Sequence, residues 1–489
     1  MRIKTAFERL TPYFLFVAGA LAMSFKILVP SFWQDEAATL AGANRPISAL
    51  MGMATKIDVV HATYYGLMHY WTNIFGFSVF WMRLPSLLAV GLTCSLLYVL
   101  VRKLNGSYSI AVIASLLYLA IPRTHFASSE SRSNALTATM AVALTLILVW
   151  AMQSKRTPWL TWSVYAVVAA AATYVFMFSL LIVVPHAVYL LLKNRKQLWY
   201  LFGAWALALI AASPVFYWGY QERGQVSWIK VKPLATYLYL AIVQVNFNGK
   251  YWLAAAFIAL SLLMLGLYIA NRRNKKADEL NNLVELGFLW AVLPSAALIA
   301  ASYAVHPYFV EHYLTFTTPA TAIIASVAIH KLRFVWMRIV VGAFILWFAF
   351  MSLEESRWTL AHGPAWMPEV QDIAAHTKPG DGLLLPDWRT RNSAEVQLMM
   401  DAYRVGYLKG RVDLSLVTTA AESKTLFGIH SKEKDAPKPS TLMPTIALVT
   451  DSVDTMPVET QIPDWMAQNY KIDHVDHFDA SNITFFKLK

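Results

Sequence analysis

The chain has 489 residues, 57% of them hydrophobic and only 14% charged, with a formal net charge of +12. A soluble protein covers its surface with about 25% charged residues, so this composition argues against a wholly soluble chain and for a surface that largely faces lipid. The basic excess would suggest nucleic acid in a soluble protein, but here it falls in short loops between apolar runs, and the single cysteine, Cys94, rules out a disulfide framework within the chain.

Residues 1–9 are basic and an apolar stretch follows. Ala20-Leu21-Ala22 could pass for a signal-peptidase site, yet the apolar run continues to Val29, and we read an uncleaved first helix. Stretches of about 20 mostly apolar residues predict spans near 11–30, 82–101, 108–123, 134–152, 159–176, 177–192, 198–218, 251–271, 284–304, 314–331 and 337–353. The stretch 159–192 carries no charge and suits two helices joined by a tight turn near Phe176. Lys26 lies near the end of the first span and can snorkel to the interface.

Cytoplasmic loops are rich in Lys and Arg. With the N-terminus inside, the inside segments are 2–9, 102–103, 155–156, 193–196, 272–276 and 331–338, each short and basic. The expected protein is thus multi-pass in the cell membrane, with a cytoplasmic N-terminus. The outside segments are 31–81, 124–133, 219–250, 305–313 and the tail after 354. The first is too polar to span and should hold short helices along the interface, the depth that suits Trp33, Tyr64, Tyr65, Tyr70, Trp71 and Trp81.

After Glu354 the composition changes. Helical patterns at 368–377 and 393–407 alternate with strand patterns at 382–385, 445–450 and 483–488, which predicts a small α/β domain. The expected fold class is a polytopic α-helical membrane protein. Its domains are 1–353, transmembrane with the first outer loop at 31–81, and 354–489, extracytoplasmic and α/β.

Five constellations on the outer face carry candidate chemistry. Phe32-Trp33-Gln34-Asp35-Glu36 places two carboxylates just past the first span, where they must face water or a polar cleft. An ordinary helix start would also use acids there, while a carboxylate in a cleft can act as a general base toward a hydroxyl. Adjacent helical residues point about 100° apart, so one of the two would face a substrate. Asp58 and His61, three apart on one helical face with Tyr65 beyond, could hold a metal, a substrate hydroxyl or each other.

The loop 123–134 is short and polar. Its Glu130 and Arg132 open the fourth span, and a guanidinium there suits a phosphate at headgroup depth, although snorkelling and a local Glu–Arg pair would explain it as well. Trp228, Lys230 and Lys232 form a cationic segment whose lysines would project together in an extended strand, toward anionic lipid or a phosphate. His306-Pro307-Tyr308-Phe309-Val310-Glu311-His312-Tyr313 packs histidines, a carboxylate and tyrosines into one loop, though anchoring aromatics account for half of it. A sixth group, 473–479, is expected to be an exposed strand rather than a metal site.

The ordered set resembles the GT-C superfamily of polyprenyl-phosphate-sugar-dependent glycosyltransferases, nearest in type to the protein mannosyltransferases and aminoarabinose transferases. The layout covers 1–353. Trp33-Gln34-Asp35-Glu36 is similar to the family's Asp-Glu pair, which carries the key acid. Asp58–Tyr65 stands where an acidic residue is followed by prolines and aromatics, without the prolines. Glu130-Ser131-Arg132 fits a Glu-x-Arg-x-Tyr motif, with Asn134 in place of tyrosine. His312-Tyr313, ahead of Pro319, stands where an Arg-Tyr pair is expected.

The resemblance implies a polyprenyl-phosphate-linked sugar donor, with mannose the leading guess by family, and a protein or glycan hydroxyl as acceptor. Transfer would invert the anomeric centre on the extracytoplasmic face. Asp35 would be the base with Glu36 beside it; Arg132, Lys230, Lys232 and His312 would meet the phosphate; and Asp58, His61, Tyr65, Glu130, Trp228, Glu311 and Tyr313 would line the substrate site. No metal is required, although Asp58 and His61 could hold a divalent ion. Membrane lipids are partners and nucleic acid is not. The rival class is a transporter or lipid-glycan flippase, which would place ionisable groups near the midplane and show broken, repeated halves.

Overall fold

The structure, a computed structural model, describes residues 2–154, 158–273, 280–358, 363–386, 391–424, 426, 428–453 and 456–489. The basic positions Lys155, Arg156, Lys275 and Lys276 lie outside them. The chain forms two compact units that do not follow a single cut along the sequence: Met1–Lys26 with Arg83–Ser356, and Ile27–Met82 with Arg357–Lys489.

The first unit is helical. Its centre is the helix Thr318–Lys331, buried without interruption from Thr318 to Ile329 and packed by Tyr108–Ala120, Tyr251–Arg273 and Asn281–Ala304. The helix Val335–Glu355 is its opposite, with Ile339, Val340, Leu346 and Trp347 all exposed. Apolar exposure of that extent suits lipid, where a helix is stable because its backbone groups bond within it. The N-terminal helix Arg2–Met23 touches Val79–Lys103 closely enough that a Cβ on Gly91 would sit 2.4 Å from the carbonyl oxygen of Phe16. A small residue at a helix crossing permits this approach.

Among the described residues, six helices are long and apolar enough to cross a membrane: Val79–Lys103, Asn134–Gln153, Tyr251–Arg273, Asn281–Ala304, Glu311–Lys331 and Val335–Glu355. Two bent pairs raise the number to eight: Tyr108–Ala120 with Pro122–Ser128 at 67°, and Arg195–Ala211 with Ser213–Gln221 at 56°. The eleven spans expected from the sequence are not reached on this measure: 108–123 and 198–218 are among the eight as bent pairs, and 11–30, 159–176 and 177–192 are not among them. Pro122 and Pro214 each begin a new helix and cannot continue the old one. The stretch 159–192 does break at Phe176, which is extended at φ −166°, but a 3-10 turn Met177–Ile182 leaves only eleven residues in Val183–Lys193. The first helix ends at Met23, and Lys26 takes a positive φ of 48°.

The second unit is an α/β body. Strands β1 (Gly382–Leu384), β2 (Val412–Asp413), β5 (Thr445–Asp451), β6 (Tyr470–His477) and β7 (Ser481–Leu488) form one sheet in the order β2-β1-β5-β7-β6. The β2, β1 and β5 strands run parallel, and β7 and β6 close the sheet antiparallel. Strands β3 (Leu416–Thr418) and β4 (Ile429–His430) make a separate antiparallel pair. The strand patterns at 382–385, 445–450 and 483–488 are β1, β5 and β7, whereas β2, β3 and β4 contain no run of more than two apolar residues to mark them.

Alternating side chains build a core on each face of the sheet. One face gathers Leu383, Leu385, Ala447, Val449, Ile483 and Phe485; the other gathers Leu384, Ile446, Leu448 and Phe486. The first face is covered by the helices Trp366–His376 and Arg391–Tyr407. The same core continues into residues 31–81, which hold the short helices Gln34–Ala43, Ile47–Ala54 and Val59–Phe75. Phe32, Tyr65 and Met68 belong to that core, each contributing about 1.5–3 kcal/mol by burial. Hydroxyls from the tail fix the loop's ends: the Phe32 N–H donates to Tyr403 Oη at 2.8 Å and the Val79 N–H to Tyr407 Oη at 3.2 Å.

Candidate functional site

In the second unit, Asp35 and Glu36 occupy the first turn of Gln34–Ala43. The preceding Trp33 is extended and offers no side-chain cap, so the two acids stand at the end where helical N–H groups are unpaired and negative charge is favoured. Glu36 is fully buried and Asp35 is half-buried. Asp35 is therefore the carboxylate that solvent reaches.

Asp58 precedes Val59–Phe75 in the left-handed region, at φ 61°. Its carboxylate accepts a hydrogen bond from Tyr65 Oη at 2.5 Å, and its carbonyl accepts the His61 N–H at 3.1 Å. Tyr65 in turn lies against Gly42, where a Cβ would come within 2.7 Å of the ring. This chain of contacts joins Asp58 to the helix that carries Asp35.

Two groups among the described residues are spaced to hold a metal, Asp401–Asp413–His430 and His376–His474–Asp476, and neither includes Asp58 or His61. The second group lies partly on the strand expected at 473–479. A bulge between Ile472 and His474 breaks the simple alternation there, so His474 hydrogen-bonds Asp473 at 3.0 Å and also pairs with Asp476 at 3.4 Å. In the first group His430 Nε2 sits 2.9 Å from Asp413. Burial works to raise the Asp413 carboxyl, but the hydrogen bond and charge of His430 outweigh it and hold Asp413 below the usual carboxylate range.

In the first unit, the segment from Arg123 to Asn134 is almost entirely buried, including Glu130 and Arg132. The break between Ile121 and Pro122 turns the chain into the short helix Pro122–Ser128. Ser86 Oγ donates to the carbonyl of Glu130 at 2.7 Å, and Asn134 Nδ2 donates to Glu130 Oε1 at 2.6 Å. Asn134, which stands where the family pattern has tyrosine, thus holds the acid. Arg123 donates to the carbonyls of Val245 at 2.9 Å and Gln244 at 2.8 Å, with Glu311 and Glu130 as its charge neighbours. Arg123 opens the polar run 123–134, and that run is the sequence signal for it.

Glu311, His312 and Tyr313 begin the 3-10 turn Glu311–Thr317, which packs on Pro122–Ser128 and Val245–Phe247. Tyr313 stacks on Phe178 with ring centres 4.9 Å apart and meets Phe176 edge-on at 5.2 Å. The His312 ring meets Tyr313 edge-on at 5.0 Å. Trp228 and Lys230 are exposed, and Lys230 Nζ donates to the Ser227 carbonyl at 2.9 Å. Lys230 and Lys232 lie in a segment that is neither helix nor strand. It is tied down instead by the Lys232 N–H to Tyr237 Oη at 3.2 Å and by Tyr303 Oη to the Lys232 carbonyl at 2.8 Å.

A polytopic helical unit with polar breaks on buried helices, joined to an α/β unit, is the GT-C fold, the fold of the solved structures this chain resembles. Residues 64–218 match the family model described as dolichyl-phosphate-mannose-protein mannosyltransferase. The fold is similar to ArnT from Cupriavidus metallidurans in the apo state, with a TM-score of 0.58 at 12% identity over 97% of both chains. The same protein bound to undecaprenyl phosphate matches at 0.58 and 12%, over 97% of this chain and 98% of that one. The archaeal oligosaccharyltransferase AglB from Archaeoglobus fulgidus, in complex with an inhibitory peptide and a dolichol-phosphate, matches at 0.50 and 10%, over 91% of this chain and 70% of that one. No curated protein matches the sequence.

Proposed function

We propose that this protein transfers a sugar, mannose by the family's weight, from a polyprenyl-phosphate donor to an acceptor hydroxyl on the extracytoplasmic face, with inversion. The carrying observation is the GT-C fold over the whole chain with a half-buried carboxylate, Asp35, in the first turn of the helix that follows the N-terminal one. Asp35 takes the acceptor proton. The acceptor oxygen bonds to the anomeric carbon from the face opposite the phosphate, and the bond from that carbon to the phosphate oxygen breaks with its electron pair.

The leaving polyprenyl phosphate gains a negative charge as that bond breaks. Arg132 is the residue we assign to stabilise it, with His312, Lys230 and Lys232 as further cations; donors placed where charge develops are usually the largest catalytic term. Glu130, hydrogen-bonded by Asn134, Glu311, Tyr313, Trp228, Asp58, His61 and Tyr65 are assigned to shape the substrate site. The lipid tail of such a donor would remain in the bilayer, which accounts for an enzyme of this chemistry being built on membrane helices.

The test is a transfer assay with purified protein in detergent, polyprenyl-phosphate mannose and a panel of hydroxyl acceptors, with the anomeric configuration of the product read by NMR. The expected result is turnover with inversion. Movement of the lipid-linked sugar across reconstituted vesicles with no covalent product would support a flippase instead.

A further inference from the structure

A cleft of about 220 Å³ lies wholly within the second unit. Its wall is formed by the end of the Gln34–Ala43 helix and the turn after it, by Asp401 and Arg404 on the helix Arg391–Tyr407, and by the segment around the β3–β4 pair. Two guanidiniums line it, Arg45 and Arg404, against one carboxylate, Asp401, so the lining carries a formal surplus of one positive charge (2 − 1 = +1).

That carboxylate is fully engaged. Asp401 Oδ1 accepts from Arg404 Nη2 at 2.9 Å and Oδ2 accepts the Gly428 N–H at 3.3 Å. Arg45 is only 4% exposed. Its Nε donates to the Ala41 carbonyl at 3.2 Å and its Nη2 to the Leu426 carbonyl, both from residues of the cleft wall. Its Nη1 is buried with no hydrogen-bond partner, and so is Nε of Arg404. Burial pulls the Arg45 guanidinium below its usual value, against the opposing pull of Asp401. A buried guanidinium with a spare donor is costly. It is stabilised by an incoming oxyanion, whose oxygens match the planar fork.

We infer that this cleft binds an anionic group, a phosphate or a carboxylate, carried by the acceptor. The inference rests on the transferase assignment above. Arg45 lies just beyond the C-terminal end of the helix whose first turn carries Asp35. At about 1.5 Å rise per residue, ten residues separate them by roughly 12–15 Å. An acceptor seated with its charge on Arg45 therefore presents a hydroxyl a comparable distance away, at Asp35, and neutral acceptors of the same length are disfavoured.

The experiment titrates the full-length protein in uncharged detergent, at fixed ionic strength, with inorganic phosphate and separately with acetate, following binding by calorimetry. The variants are Arg45→Gln, Ala421→Glu and Asp35→Asn. Ala421 is exposed on the cleft rim, so Ala421→Glu places a competing carboxylate there without touching the bonds that hold Arg45, and it keeps the test valid should Arg45→Gln fold poorly. The expected result is binding of at least one probe that weakens tenfold or more in Arg45→Gln and Ala421→Glu and stays at the wild-type level in Asp35→Asn. Phosphate alone would assign a phosphorylated acceptor, and acetate alone a carboxylated one. Equal affinity in wild type and Ala421→Glu, or no binding of either probe, would overturn the inference. Asp35→Asn keeps the two claims separate, because loss of transfer in that variant with intact anion binding supports both, while intact transfer defeats only the base assignment.

Discussion

The two units hold some of their buried charge differently. In the helical unit, Arg123 is held by the carbonyls of Gln244 and Val245, Glu130 by Asn134, and His186 lies between Thr145 at 3.0 Å and Tyr165 at 2.8 Å. In the α/β unit Asp413 and Asp401 instead meet His430 and Arg404, both at 2.9 Å, although Arg45 and Glu369 there are held by carbonyls and a hydroxyl, and Glu285 in the helical unit pairs with Lys193. For Arg123 the reason lies in the backbone. Regular helices spend their own carbonyls internally, so spare acceptors occur only where a helix ends or breaks. Gln244 closes a π-helical turn, Leu240–Gln244, and it is there that Arg123 finds its acceptors. Breaks in the buried helices are thus the places where a membrane unit can keep a charge, and Glu130 and Arg132 stand at one of them.

On the proposed function, Arg123 holds the fold and Arg132 is assigned to the reaction. Arg132→Gln is expected to cut transfer by ~10²–10³. Arg123→Met is expected to do the reverse in kind, destabilising the protein by about 1–3 kcal/mol for each carbonyl left unpaired. Paired activity and melting measurements on the two variants would show whether the division is real, and a stable, active Arg123→Met protein would break it.

Two carboxylates in the α/β unit give opposite pH signatures. Burial raises Glu369 to about 7, although Ser481 Oγ donates to it at 2.6 Å. A carboxyl raised from its ordinary 4.5 favours the folded state below about pH 4.5, and that contribution is lost as pH rises to about 7. Glu369→Gln should remove this slope and stabilise the protein above pH 7 by about 3 kcal/mol, seen as melting curves that diverge from wild type between pH 5 and 7.

Asp413, held below the usual range, contributes stability above its ordinary value of 3.8 that is lost on acidification below it. Asp413→Asn should therefore cost about 1.5–3 kcal/mol at pH 7 and little at pH 3. A stability difference that persists at pH 3 would remove His430 pairing as the cause. The smallest effect is expected at Lys230, which is exposed and donates to the carbonyl of its neighbour Ser227. Lys230→Gln should change transfer by less than about threefold and chiefly at low salt, because exposed charges are screened.

The long apolar runs made the helical unit legible, and the short strand-like runs at 382–385, 445–450 and 483–488 pointed to β1, β5 and β7. What was not legible is mostly contact between distant parts of the chain. Nothing local in residues 31–81 says that Phe32 will meet Tyr403, or that Arg45 will be pinned by Leu426. Hydropathy averages across Pro122, Phe176 and Pro214 without registering the bend, and of these only the break at Phe176 falls where expected spans are missing from the count among the described residues. Of the candidate site, the sequence supplied Asp35 and Glu36 at a helix start and the polar run at 123–134. It did not foretell that Glu36 would be buried and Asp35 partly exposed, which depends on how the Gln34–Ala43 helix packs on Val59–Phe75 and Arg391–Tyr407.

The central claim is that Asp35 is the base of a sugar transfer. Its most direct measurement is single-turnover transfer from a polyprenyl-phosphate sugar by wild type and Asp35→Asn side by side, with donor affinity measured on both. The account predicts that transfer falls by at least ~10² in the variant while donor affinity and melting temperature hold. Near-normal transfer by Asp35→Asn would contradict it.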